Sequence, residues 1–430
     1  MPLGALTADH DVQRQELTNG VRVVTEHVPW ASSVSIGFWI ESGSRHDGPA
    51  TGGLAHFVEH LLFKGTDRRT ALEISQEIEA VGGMLNAETD REHTCYYARV
   101  LSEDLPLAVD LLSDMMLGSR FDPVEIERER NVVLEEIAAI DDTPDDLVSD
   151  LFHASYWPEH PLGQPICGTR ASVEGLSREV CLDLLARRYR PNRIIITAAG
   201  RLDHEPLHAE IARRFGDLTG GAGLEAEAPR VTGGGVTVHE RDLEQVQIHF
   251  GTRGVPAGDA ERTVAVVLNT ALGDGSSSRL FQEIRERQGH AYAIESFLAS
   301  FRGAGYLGVA AGTRPQRVPQ VVASMLGELR RVRREGFTAD ELARAKGNLK
   351  GSLLLGQEAT DQRMEHLAIE EMYVGRARTV DELTRRIDAV SNEQIIALAE
   401  RLLVPEASSL VLLGPVDGPP LDNEILAQLG

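Results

Sequence analysis

The stretch Gly52-Gly53-Leu54-Ala55-His56-Phe57-Val58-Glu59-His60-Leu61-Leu62-Phe63-Lys64-Gly65-Thr66 holds the densest chemistry in the chain. A glycine pair ahead of an apolar run predicts a tightly turned, buried start to a helix. Positions i, i+3 and i+4 of a helix share a face, so His56 and His60 present both imidazoles to one point while Glu59 stands beside them. This order inverts that of the HExxH zinc helix. Two histidines leave a zinc ion short of ligands, because catalytic zinc takes three protein groups and keeps a fourth position for water. The bland alternative is a pair of histidines on a solvated helix face. Burying the charged cluster without a cation would be costly, and the flanking Leu61, Leu62 and Phe63 argue for burial.

A third ligand has to come from elsewhere, and a carboxylate on another helix suits zinc. The segment from Glu125 to Ile137 supplies candidates: Glu129 and Glu136 stand seven residues apart, on one face two turns removed, with Val132 and Val133 between them as an apolar docking strip. We assign Glu136 as the ligand and Glu129 as a carboxylate that supports a ligand from behind. Alone, a glutamate-rich helix reads as a solvated face.

Around this pair of helices the pattern is mixed. Upstream, Val21 to Thr25 and Val34 to Ile40 read as strands, the second alternating Val34, Ile36, Phe38 and Ile40 in the period of a half-buried strand. Downstream, helical patterns cover about 70–81, 103–117, 123–140, 145–155 and 177–188, with strands near 84–88, 93–100 and 193–199. Residues 219–235 then gather six glycines around Glu225, Glu227 and Pro229, a composition that cannot bury a core. Beyond that linker the order begins again. Val246, Ile248 and Phe250 echo Val34, Ile36 and Phe38 at an offset of 212, and Leu410 to Gly414 echo Ile196 to Gly200 at 214. Two echoes at nearly one offset predict two related copies, 1–218 and 236–430, joined by 219–235.

The chain has 430 residues, 42% hydrophobic and 25% charged, which suits a folded protein of two or three cores. Its net charge is −23, a surface that repels phosphate backbones and anionic lipid heads and attracts cationic peptides. Nucleic acid and membrane are therefore not expected partners. Cys95, Cys167 and Cys181 form neither a disulfide framework nor a CxxC metal site. With no run of about 18 apolar residues and no apolar leader, a cytoplasmic protein is expected.

With His56, Glu59, His60 and Glu136 in place, 76 residues separating His60 from Glu136, the chain resembles the M16 peptidases, the inverzincins. Gly82-Gly83-Met84-Leu85-Asn86-Ala87, with Thr94, Tyr96 and Tyr97, is similar to that family's GGxxNAxTxxExTxYY stretch. Arg285 and Tyr292 match its arginine and tyrosine seven apart. The resemblance covers about Val12 to Leu413. It implies an α+β protein of two homologous domains, each a mainly antiparallel sheet flanked by helices, closing as a clam-shaped metallopeptidase. It also implies a Zn2+ cofactor, peptide substrates paired by main chain along Asn86 and Ala87, and the short branch whose members form homodimers. At the offset of 212, His56, Glu59 and His60 fall on Leu268, Ala271 and Leu272, and Glu136 falls near Asn348, so the second copy is expected to hold no metal.

The implied reaction is peptide hydrolysis by a zinc-activated water, with Glu59 as general base. Arg285 and Tyr292 would bind substrate and steady the oxyanion from the second domain. Two alternatives stand beside it: a structural or chaperone-like subunit of this fold without chemistry, and a peptidase dedicated to one precursor. The presence of all four metal-site residues speaks against the first.

Overall fold

Val34, Ile36, Phe38 and Ile40 point one way from their strand and, as the alternation predicts, all are fully buried. Ser35 and Trp39, on the other face, are just as buried, so the strand is covered on both sides and not half-buried. The second cover comes from a helix more than 300 residues away in sequence.

The computed structural model describes residues 11–221, 229, 233–416 and 421–429. Most of the stretch expected as a linker, 219–235, lies outside the described residues. The strands are β1 (Asp11–Glu16), β2 (Arg22–His27), β3 (Ser33–Ile40), β4 (Met84–Thr89), β5 (Thr94–Leu101), β6 (Ile194–Gly200), β7 (Gly235–His239), β8 (Val246–Arg253), β9 (Ala293–Phe301), β10 (Ala304–Thr313) and β11 (Ser409–Leu413). Helices in the first half are α1 (Leu54–Leu62), α2 (Ala71–Ala80), α3 (Leu105–Gly118), α4 (Pro123–Asp142), α5 (Pro144–Tyr156), α6 (Arg170–Glu174), α7 (Arg178–Arg188) and α8 (His204–Phe215). Those in the second half are α9 (Arg262–Gly273), α10 (Val318–Glu335), α11 (Ala339–Gly356), α12 (Thr360–Val374), α13 (Val380–Ala389) and α14 (Asn392–Leu402). Among the described residues no helix is long and apolar enough to cross a membrane.

The chain packs as two compact units, and they do not follow chain order. One takes the described residues of 1–138, 165–226 and 354–381, the other those of 139–164, 227–353 and 382–430. In the first, the sheet runs β1-β2-β6-β3-β5-β4. Val34, Ile36 and Phe38 pack with Phe57, Val58 and Leu61 of α1 on one face. On the opposite face Trp39, Cys95, Ile195 and Ala199 meet Met364, Ala368 and Met372 of α12. Gly37 makes the close approach there, since a Cβ would stand 3.0 Å from the Met364 sulfur. Ion pairs seal the same face: Arg363 with Glu26, buried on both sides, and the partly exposed Arg14 with buried Glu371 at 2.9 Å.

In the second unit the sheet runs β7-β11-β8-β10-β9. Val246, Ile248 and Phe250 pack with Leu268 and Leu272 of α9, and α5 covers the reverse face with Phe152 and Tyr156 against Val411 and Leu413. The two sheets share one topology apart from β1. Each has a single parallel pair, β2 with β6 and β7 with β11. Register agrees as well: Ile36 faces Ala198 and Ala98, while Ile248 faces Leu412 and Ala311. The two sequence echoes are therefore two copies of one fold.

Candidate metal centre

Gly53 has a φ of 87°, a left-handed turn closed to other residues without strain. Its Cβ position would lie 2.4 Å from the Cys167 carbonyl oxygen, so the glycine pair serves a tight, buried entry to α1. Phe57, Val58 and Leu61 then anchor one face of the helix in the core. Helix α4 docks against it through buried Val133 and through Arg130, whose guanidinium lies 5.5 Å from the centre of the Phe57 ring and donates to the Leu176 carbonyl at 2.7 Å. Val132 is exposed, so of the expected apolar strip only Val133 docks.

That docking brings Glu136 over α1. Among the described residues, His56, His60 and Glu136 form the group of His, Cys, Asp or Glu side chains whose ligand atoms lie within 4.8 Å of one another. The two Nε2 atoms are 3.2 Å apart, and Glu136 Oε2 stands 3.8 Å from that of His56 and 3.6 Å from that of His60. Ligands about 2.0–2.1 Å from a tetrahedral zinc are separated by roughly 3.3–3.4 Å. The three edges fit that ion without rearrangement beyond a few tenths of an ångström.

The electrostatics suit a cation. Burial, with His60 nearby, pushes the His56 imidazole down to about 4, leaving it neutral and able to ligate. For His60, burial pulls the same way, but the hydrogen bond to Glu129 and the negative charges of Glu136 and Glu59 outweigh it, and the net direction is up. The site favours positive charge at that point. Behind His60, Glu129 accepts from Nδ1 at 2.8 Å and from Lys64 Nζ at 2.7 Å. Burial raises the Glu129 carboxyl, yet these two donors outweigh it and hold it below the usual range. Lys64 is a member of this chain of contacts that residue-type reasoning did not single out; its place one turn after His60 was the available signal.

Glu59 is buried beside the ligand atoms, and burial raises its pKa while a hydrogen bond from Thr89 opposes the rise. Thr89 ends β4, the edge strand that also carries Asn86 and Ala87 and that pairs only with β5 among the described strands. Asn86 is exposed and Ala87 half-buried.

The description Insulinase (Peptidase family M16) matches residues 22–170, and Peptidase M16 inactive domain matches residues 175–349. The chain belongs to peptidase family M16. Full-length relatives agree. An uncharacterized zinc protease of Mycobacterium bovis is 43% identical over 409 residues, spanning 94% of this chain and 93% of its own. Others of that description in Streptomyces coelicolor and Bacillus subtilis are 40% and 36% identical, over 94% of this chain and 90% and 98% of theirs. By fold, the chain superposes on a peptidase M16 inactive domain from Pseudomonas fluorescens with a TM-score of 0.88 at 20% identity, over 96% of this chain and 100% of that one. A protease from Helicobacter pylori gives 0.86 at 20% identity, over 94% and 100%.

In this M16 chain the second copy's residues at the places of His56, Glu59 and His60 serve packing. Leu268, Ala271 and Leu272 are buried in the core of α9. Glu341, 212 residues after Glu129, holds the Arg279 guanidinium instead, at 2.8 and 2.6 Å. Arg285 and Tyr292 lie in this unit too. A π-helical turn over Phe281–Arg287 stacks the Arg285 guanidinium on Phe281, 4.5 Å from the ring centre, and 5.7 Å from that of Tyr292. The Tyr292 ring is 75% exposed, so it is not a core-packing tyrosine. Both border a cavity of about 780 Å³ that reaches Gln247, His249 and Phe297.

Proposed function

We propose that this M16 protein is a zinc-dependent endopeptidase acting on peptides or unfolded polypeptide segments, with His56, His60 and Glu136 holding the metal and Glu59 as general base. The observation that carries the reading is the convergence of two imidazole nitrogens and one carboxylate oxygen at separations of 3.2 to 3.8 Å, the edges of a zinc tetrahedron. Zinc bound there would supply Lewis acidity, making a water nucleophilic near neutral pH and polarising a scissile carbonyl.

The chain's own groups supply the rest. His60, with Nδ1 turned to Glu129, keeps an Nε2 lone pair for ligation. Glu59 takes a proton from the attacking water and returns it to the leaving amine, a role suited to a buried carboxylate whose pKa is raised. The outer edge of β4, unpaired among the described strands, offers Asn86 and Ala87 to an extended backbone, which supports loose sequence selectivity. Arg285 and Tyr292, stacked and accessible, are the substrate-contacting groups of the second unit in this reading, with the Tyr292 hydroxyl as a donor to developing negative charge. The proposal includes a homodimer in the cytoplasm, which light scattering and fractionation would test.

Metal analysis of the purified protein, with turnover of a fluorogenic peptide library before and after chelation, tests the function. Zinc near one equivalent and activity lost to chelator and restored by zinc are expected. A metal-loaded protein that cleaves nothing would leave the structural-subunit alternative, and cleavage confined to one peptide would point to a dedicated precursor peptidase.

A further inference from the structure

Thr89 is the last residue of the edge strand β4, and its hydroxyl donates to Glu59 Oε2 at 2.6 Å. That is the short range of a hydrogen bond to an ionised acceptor. The direction is fixed by chemistry, because a carboxylate only accepts and a threonine hydroxyl has one proton to give. Among the described residues Oε1 of Glu59 makes no hydrogen bond, so one oxygen is tied and the other is free. A glutamate side chain has three rotatable bonds to lose, and this contact selects one arrangement.

The donor itself is held firmly. Thr89 pairs with Thr94 across the β4–β5 turn, and Thr94 donates its hydroxyl to the Ser42 carbonyl at 3.0 Å. Within the turn, Glu92 is buried against Arg45 and accepts from the Tyr373 hydroxyl at 2.8 Å. Backbone bonds from Ser44 to Asp90 and from Arg45 to Arg91 fasten the same turn. Catalytic groups work when neighbours lock their rotamers from rigid elements, and the turn supplies such a support.

We infer that Thr89 is a positioning residue for the general base: it occupies Oε2 of Glu59, leaves Oε1 to the attacking water, and ties the base to the strand on which substrate would lie. The inference rests on the peptidase reading above. Thr89→Val keeps the shape and β-branching and removes only the donor, while Thr89→Ser keeps the donor. On a fluorogenic peptide, Thr89→Val should lower kcat by about 10- to 100-fold, as loss of an orienting neighbour does, with KM and zinc content at wild-type levels. Thr89→Ser should recover most of that loss. In a Glu59→Gln background Thr89→Val should cost nothing more, because the hydroxyl acts through the carboxylate.

Crystal structures of wild type and Thr89→Val read the same inference without turnover, and the Glu59 carboxylate should move or spread over several rotamers. Wild-type kcat in Thr89→Val, an equal further loss in the Glu59→Gln background, or an unmoved Glu59 would overturn the inference. A wild type that binds zinc and cleaves no peptide would refute the peptidase reading alone, and the crystallographic comparison would still decide whether Thr89 positions Glu59.

Discussion

His60 Nδ1 lies 2.8 Å from Oε1 of Glu129, a residue two helical turns from Glu136 on the same helix. One helix thus presents one carboxylate to the candidate metal position and another to the far side of a ligand. The contact fixes the His60 tautomer with its Nε2 lone pair facing His56 and Glu136. Glu136→Gln should therefore weaken zinc severely, and Glu129→Gln by only about 10- to 100-fold. Competition against a chelator of known affinity measures both, and reversed severities would mean that the ligand is Glu129.

Loss of the base should separate from loss of the metal. Glu59→Gln keeps size and burial, so zinc content should match wild type while turnover falls by about 10²- to 10⁴-fold. His56→Ala or His60→Ala should lose metal and turnover together. Full zinc occupancy in His60→Ala would contradict the ligand assignment.

Tyr292 offers a test of the second unit. Its ring is 75% exposed, so Tyr292→Phe removes a hydroxyl and little packing. Turnover should fall by about 10²-fold or more at constant zinc content, as for loss of an oxyanion donor. A near-silent Tyr292→Phe would remove the hydroxyl from the mechanism and leave only the ring beside Arg285.

His249 predicts an acid limit to stability. Burial against Phe152, whose ring it stacks on at 4.3 Å, pushes its pKa down to about 4, and its Nε2 finds no hydrogen-bond partner among the described residues. Below pH 6.5 the unfolded chain takes up a proton that the folded one refuses, so stability falls with pH until about 4. The full contribution is about 3 kcal/mol. His249→Phe keeps the stacked ring and should flatten that slope between pH 6.5 and 4 in urea melts. Parallel slopes for mutant and wild type would show that the imidazole is not the titrating group.

The interleaved segments predict that the first unit cannot stand on the first half of the chain. A fragment of residues 1–218 lacks α12, baring Trp39, Ile195 and Ala199 and leaving Glu26 without Arg363. An exposed apolar sheet face is heavily destabilising. Such a fragment should aggregate or melt without cooperativity by circular dichroism, whereas a soluble, cooperatively melting fragment would make α12 dispensable.

Much of this protein is legible in one dimension because its determinants are local. Helical spacing puts His56, Glu59 and His60 on adjoining positions of one turn, seven residues align Glu129 with Glu136, and period-two alternation marks β3 and its copy β8. Repetition at 212 residues exposes the double fold, since the same sheet register needs the same apolar pattern. Phe281 and Lys64 escaped, because a ring or an ammonium that serves one neighbour leaves no periodic trace, and Thr89, although it stands at the first threonine of the GGxxNAxTxxExTxYY stretch, gives no sign in sequence that Glu59 is the neighbour it serves. Nor does α12 announce that it belongs with β3, which the alternation alone marks as half-buried. Which helix covers a sheet's second face depends on where apolar surface finds its complement after the chain has turned back, and that free energy is a property of surfaces brought together, not of neighbours in sequence.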